Sequence, residues 1–178
     1  MAYPMSPANY SRGKTEFVNL EGMFKWTRHT TPEIDLNGDK VWRTTFYPKP
    51  ESMEKINALK AEGLKNTIRK DDDGYHLRFG RPVVKKSRAG KVMTFDAPEV
   101  VDMNNQPITE LLGNGTTGIL VLEVYAHGTP GGGSAKAARF AGIKVDNLVP
   151  FNAQVDYEKD SPQERMVRGM PDAPSQTW

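Results

Sequence analysis

Residues 40–63 read KVWRTTFYPKPESMEKINALKAEG, and the side-chain pattern changes period inside them. Val41 to Tyr47 is rich in β-branched and aromatic residues and alternates with period two, which predicts a strand. One face carries Trp42, Thr44 and Phe46; the other carries Val41, Arg43, Thr45 and Tyr47. Pro48 and Pro50 end the strand. From Ser52 the apolar residues Met53, Ile56, Leu59 and Leu64 fall on one side of a helix that Gly63 stops. Burying Arg43 unpaired would be costly. Arg43 and Tyr47 are therefore expected on the outer surface, and Trp42 and Phe46 in the core.

Upstream, Thr15 to His29 interleaves Phe17, Val18, Leu20, Met23, Phe24 and Trp26 with polar residues, as a long half-buried strand does. Gly22 interrupts the alternation and is the expected β-bulge. Strand parity beyond it stays open, so Phe24, Lys25 and Trp26 are all candidates for the outer face. Residues 30–40 read as a loop with an Asn37-Gly38 turn. Downstream, Asn66 to Lys70 and Tyr75 to Val84 are expected strands about the turn Asp71-Asp72-Asp73-Gly74. Val92 to Phe95 is a short strand, and Ile108 to Leu112 a helical turn. Gly118 to Ala126 (GILVLEVYA) and Ala138 to Val149 (ARFAGIKVDNLV) are strands joined by the glycine-rich HGTPGGGS. The sum is an all-β fold with one helix after the second strand and long loops. An OB-like five-stranded barrel satisfies it.

Three segments follow: a flexible arm at 1–13, a binding domain at 14–151 and a flexible tail at 152–178. The net charge of +2 conceals an asymmetry: residues 1–150 hold 21 Lys and Arg against 17 Asp and Glu, and residues 151–178 hold 3 against 5. A basic body with an acidic tail suits a nucleic-acid partner. The densest feature is RFGRPVVKKSRAGK at 78–91, where Arg78, Arg81, Lys85, Lys86, Arg88 and Lys91 provide six cations and no acid is present. Tyr75 and Phe79 adjoin it. Cations beside aromatic faces are what a single strand needs, for its phosphates and for stacking its bases. The candidate binding residues are these eight together with Lys25, Trp26, Trp42, Arg43, Tyr47 and Lys49.

Enzyme chemistry finds no foothold. The chain has no cysteine, and His29, His76 and His127 are not at metal-ligand spacing from one another. GTPGGGSAK lacks the Lys-Ser/Thr ending of a phosphate-binding loop. There is no Gly-x-Ser-x-Gly elbow. No catalytic residue, metal or cofactor is expected. Nor is a membrane span, because no run of about 18 apolar residues occurs.

The order of these elements resembles phage single-stranded DNA-binding proteins of the OB-fold type. The resemblance rests on KVWRTTFYPKP before a helix, the basic strand-loop, and GILVLEVYAHGTPGGGSAKAARFAGIKVDNLVPF at 118–151. It implies sequence-tolerant binding and protection of single strands in DNA replication and recombination, in the cytoplasm of the bacterial host. It also implies replication or recombination proteins as partners of an acidic tail ending in an aromatic residue. A homo-oligomer is compatible with it. Here Trp178 follows Asp156, Glu158, Asp160, Glu164 and Asp172, but Lys159, Arg165 and Arg168 dilute the acidic run. The competing readings are a β-barrel that docks other proteins and a magnesium nuclease at Asp71–Asp73.

Overall fold

A computed structural model describes residues 15–86, 90–128 and 134–152. The expected arm at 1–13, Arg88, most of the glycine-rich loop and the tail beyond Asn152 lie outside these residues. Among the described residues, nine strands and one helix run in the order β1 (Thr15–Ile34), β2 (Lys40–Pro48), α1 (Pro50–Ala61), β3 (Arg69–Asp71), β4 (Gly74–Pro82), β5 (Val84–Lys86), β6 (Val92–Thr94), β7 (Glu99–Asp102), β8 (Thr116–Gly128) and β9 (Ser134–Asn147). The main sheet has the order β3-β4-β2-β1-β8-β9-β7, and β5 and β6 form a separate hairpin.

The long strand β1 organises the sheet. Its residues 15–24 pair antiparallel with β8, and its residues 22–34 pair with β2. It runs five residues past His29, through Pro32 and Glu33, because Glu33 and Ile34 pair with Val41 and Lys40. The five strands β4, β2, β1, β8 and β9 supply the OB-like arrangement, with the helix after the second strand. Among the described residues no ladder joins β4 to β9, although the two strands touch, so hydrogen bonding does not close the barrel. Two short strands extend the sheet at its edges: β3 beside β4, and β7 parallel to β9. Residues 108–112 form no helical turn; instead Leu112 bridges Pro150.

The core lies inside the curl of the sheet. Leu20, Phe24, Phe46, Leu77, Phe79, Leu120, Leu122, Val124, Phe140 and Ile143 fill it. Phe24 and Phe46 pack as a tilted pair with ring centroids 5.3 Å apart, a favoured aromatic geometry. The helix covers one opening with Ile56 and Leu59. Pro50 starts it, and Gly63 ends it at φ +104°, where a side chain would be strained. Glu21 ties the helix entrance to β1: its N–H donates to Ser52 Oγ (2.7 Å), and its carbonyl accepts from Lys49 N–H (2.9 Å).

Gly22 is not the bulge. Pairing runs unbroken through it on both sides, to Pro48 and to Gly118. A Cβ there would sit 2.3 Å from the Tyr47 carbonyl and 2.6 Å from the Phe46 ring. The glycine is present because the Tyr47 carbonyl and the Phe46 ring occupy the space a side chain would need. The bulge falls four residues later, at Trp26. Lys25 pairs with Thr45 and Arg28 with Arg43, so Trp26 and Thr27 together oppose Thr44 alone.

Candidate nucleic-acid interface

The bulge sets what the outer face of β1 displays. Phe24 points into the core and Lys25 points out. Thr27 turns inward again, its hydroxyl 2.8 Å from that of Thr44. The extra residue, Trp26, sits at φ +51° with its N–H donated to Asn114 Oδ1 (2.8 Å), and its ring centroid is 5.7 Å from Lys25 Nζ. Two consecutive side chains, Lys25 and Trp26, thereby share one surface, which simple alternation forbids.

Cross-strand pairing arranges the rest in rows. One row is Lys25–Thr45–Arg78, and the next is Arg28–Arg43–Gly80. Tyr47 and Met23 form the row on the other side of Lys25. Lys25 Nζ lies 5.0 Å from the Tyr47 ring centroid, and the Tyr47 and His76 rings are 4.9 Å apart. A continuous band results: Trp26, Lys25, Tyr47, His76, flanked by Arg28, Arg43 and Arg78. Thr45, in its middle, is 1% exposed and its hydroxyl has no hydrogen-bond partner. The Trp26 indole N–H is also enclosed and unpaired. Such orphan donors are costly unless something else engages them.

The turn after β3 reaches onto this band. Tyr47 donates its hydroxyl to Asp71 Oδ2 at 2.6 Å, and Lys25 is ion-paired with Asp73. His76 Nδ1 is 3.5 Å from Asp71 Oδ2, close enough for an ion pair yet without a hydrogen bond. Asp71 Oδ1 accepts the Asp73 N–H, closing an Asx turn. Partial burial would raise the Asp71 carboxyl. The Tyr47 hydroxyl, the Asp73 amide and the charges of His76 and Lys25 outweigh that and hold it below the ordinary carboxylate value.

The other expected site residues are scattered. Phe79, expected to stack on bases, is fully enclosed in the core. Trp42, also a candidate for binding, lies on the core face at 7% exposed and presents no open ring to a strand, and Tyr47 lies on the opposite face but is 6% exposed rather than open. Arg43 is half-buried and paired with Glu33 at 3.3 Å. Both faces of β2 are covered, which a period-two pattern cannot reveal. Tyr75 is exposed but has the parity of Leu77, opposite to His76, with Lys70 Nζ 5.2 Å from its ring. Lys49 caps the helix entrance and pairs with Glu21 at 3.2 Å.

The basic segment 78–91 does not form one groove. Arg78 belongs to the band, whereas Arg81, an odd three residues on, faces the other way. There its Nε–H donates to the Asp96 carbonyl (2.7 Å), and Nη1 is 3.8 Å from Glu123. Burial draws Arg81 below the usual guanidinium value, and Glu123 opposes the effect. Arg139 makes the closer contact to Glu123, at 2.9 Å. Phe95 has both guanidinium groups near its ring, at 5.2 and 4.9 Å. Arg81 is thus committed to a buried ion cluster. Lys85, Lys86 and Lys91 are exposed on or beside the β5–β6 hairpin, and Lys85 lies 5.9 Å from the Tyr125 ring.

Sequence reasoning placed Thr45 on the outer face of β2 but missed Arg28, His76 and Tyr125. Arg28 becomes visible only once the bulge fixes the parity of β1. Among the described residues, no three His, Asp or Glu side chains converge as metal ligands, and no helix is long and apolar enough to cross a membrane.

No protein-family model matches this chain, and no curated protein matches it by sequence. Solved structures do. The chain is similar to gp2.5, a single-stranded DNA-binding protein encoded by bacteriophage T7, with a TM-score of 0.57 at 10% identity over 84% of this chain and 97% of that one. It is also similar to the single-stranded DNA-binding protein of bacteriophage Enc34, solved in complex with single-stranded DNA. There the TM-score is 0.52 at 10% identity, over 76% of this chain and 89% of that one. The chain shares its fold with these two phage proteins. The resemblance read from the strand and turn patterns is therefore upheld at the level of fold, as is the all-β architecture with a single helix.

Proposed function

We propose that this chain binds single-stranded DNA with little sequence preference, across the outer face of β1, β2 and β4. The observation that carries this reading is the bulge at Trp26. It sets an aromatic ring and a cation side by side on a surface that continues into Tyr47, His76 and Arg78. Bases stack on the aromatic faces, each stacked base contributing about 1–3 kcal/mol, while Lys25, Arg28, Arg43 and Arg78 take phosphates. The unpaired Thr45 hydroxyl offers a further hydrogen bond to the strand. Lys85, Lys86 and Lys91 extend the cationic path along the hairpin. Two phage proteins of the same fold are single-stranded DNA-binding proteins by their own descriptions, which agrees with this reading.

On this view the protein sheathes DNA during phage replication and recombination in the host cytoplasm and catalyses nothing. Residues 14–151 bind DNA, and the tail engages replication or recombination proteins. The test is tryptophan fluorescence titrated with oligo-dT from low to high salt. Quenching is expected, with log affinity falling by about 0.7 per phosphate contact for each tenfold rise in salt. Equal affinity for duplex and single strand, without quenching, would overturn the proposal.

A further inference from the structure

We infer that the Asp71-Asp72-Asp73-Gly74 turn is a built-in competitor for the DNA face, its carboxylates holding the positions that phosphates take when a strand binds. The inference rests on the function proposed above and deepens it. An ordinary hairpin tip directs its acids at solvent. Here Asp73 is paired with Lys25 and Asp71 accepts the Tyr47 hydroxyl, across 48 and 24 residues of sequence. Lys25 and Tyr47 lie at the centre of the band. Lys25 is 7% exposed, and its ammonium already has a carboxylate for a counterion.

A phosphate oxygen and a carboxylate oxygen are interchangeable acceptors for an ammonium and a phenol. One Tyr47 hydroxyl proton cannot serve both. A strand that engages Lys25 and Tyr47 must therefore displace Asp71 and Asp73. The buried, unpaired Thr45 hydroxyl beside Lys25 is consistent with this. In the closed arrangement the acids satisfy the cation and the phenol on either side of Thr45 but leave the hydroxyl unengaged, so it has a partner to gain only when another acceptor arrives.

Removing one competing carboxylate adds about one unit to the effective number of neutralised phosphates. For single strands that steepens the salt dependence by about 0.7 in log–log slope. Extrapolated from 1 M, where the electrostatic contribution fades, the gain is about fivefold in affinity at 0.1 M salt. Asp73→Asn and Asp71→Asn are suitable changes because asparagine keeps the Oδ1 acceptor that closes the Asx turn.

The experiment measures oligo-dT binding from 0.05 to 1 M salt for the full chain, D73N, D71N/D73N and the neighbouring D72N. The expected result is about fivefold tighter binding for D73N at 0.1 M, still tighter binding for the double variant, curves converging near 1 M, and a smaller effect for D72N. If the unmodified chain binds oligo-dT but D73N matches it in affinity and slope, or binds more weakly, the competitor is refuted while the DNA-binding reading stands. If no form binds oligo-dT at 0.05 M salt, both fall. Should the double variant fail to fold, D73N alone decides. Hydrogen exchange on the unmodified chain gives an independent answer: saturating oligo-dT should raise exchange at residues 71–75 while protecting β1 and β2, and unchanged exchange at the turn refutes the displacement.

Discussion

Replacing Trp26 and Trp42 one at a time should separate fold from function, because the two rings lie on opposite sides of one sheet. Trp42 is 7% exposed on the core face, and truncating a buried Trp to Ala costs about 3–5 kcal/mol. Trp26 is half-buried and held at φ +51°, a conformation costing a bulky L-residue about 1–2 kcal/mol. Asparagine tolerates that backbone well. Trp26→Asn therefore loses part of a ring's packing and regains much of that strain, and the two changes offset to within about 1 kcal/mol. If Trp26 stacks on a base, the same substitution removes about 1–3 kcal/mol of binding, roughly 5- to 150-fold in Kd. Urea unfolding measures the first quantity, and oligo-dT titration at fixed salt measures the second. W26N should stay folded, bind weakly and lose most of the fluorescence quenching. W42A should lose several kcal/mol of stability. A W26N protein that binds and quenches like the parent would refute the assignment of the outer face.

Gly22→Ala should destabilise by about 1–3 kcal/mol in urea, since the added methyl meets the Tyr47 carbonyl at 2.3 Å; an unchanged midpoint would show that β1 and β2 can separate there freely. Glu123→Gln leaves two guanidinium groups buried without their anion, and a loss of about 3–5 kcal/mol is expected; a loss below about 1 kcal/mol would mean that Phe95 and Tyr125 alone hold Arg139. Asp71 has a depressed folded-state pKa, so its stabilisation is present above the ordinary carboxylate value and fades as pH falls through the lower folded value. A plot of stability against pH should therefore bend less in acid for Asp71→Asn than for the parent.

The parts of the fold set by local pattern were legible, and those set by distant contact were not. VWRTTFY gave the correct core face because period two in a strand is a covalent fact. It could not reveal that the second face is also covered, since the cover comes from Asp71 and His76, more than twenty residues away. The bulge was misplaced for a related reason. Glycine is the usual marker of irregularity, but Gly22 serves close approach, while the left-handed residue is a tryptophan. The division of segment 78–91 was readable in principle: Arg78 and Arg81 differ by an odd number of residues and must face opposite sides of one strand. Charge density along the chain hid that.

The double role of β1 bears on the order in which the molecule assembles. Its later residues meet β2 across a short turn, and β8 and β9 are neighbours in sequence, so each of these hairpins can form from nearby chain. The ladder between residues 15–24 and 116–125 joins segments separated by about a hundred residues, and its closure entropy must be met before it contributes anything. The band carrying Lys25, Tyr47 and Arg78 belongs to the early half alone. During synthesis that surface is expected to take shape, with the acidic turn already beside it, before the barrel that supports it is complete. A nascent chain would then carry its own anionic cover through the interval in which its cations are most exposed to stray nucleic acid.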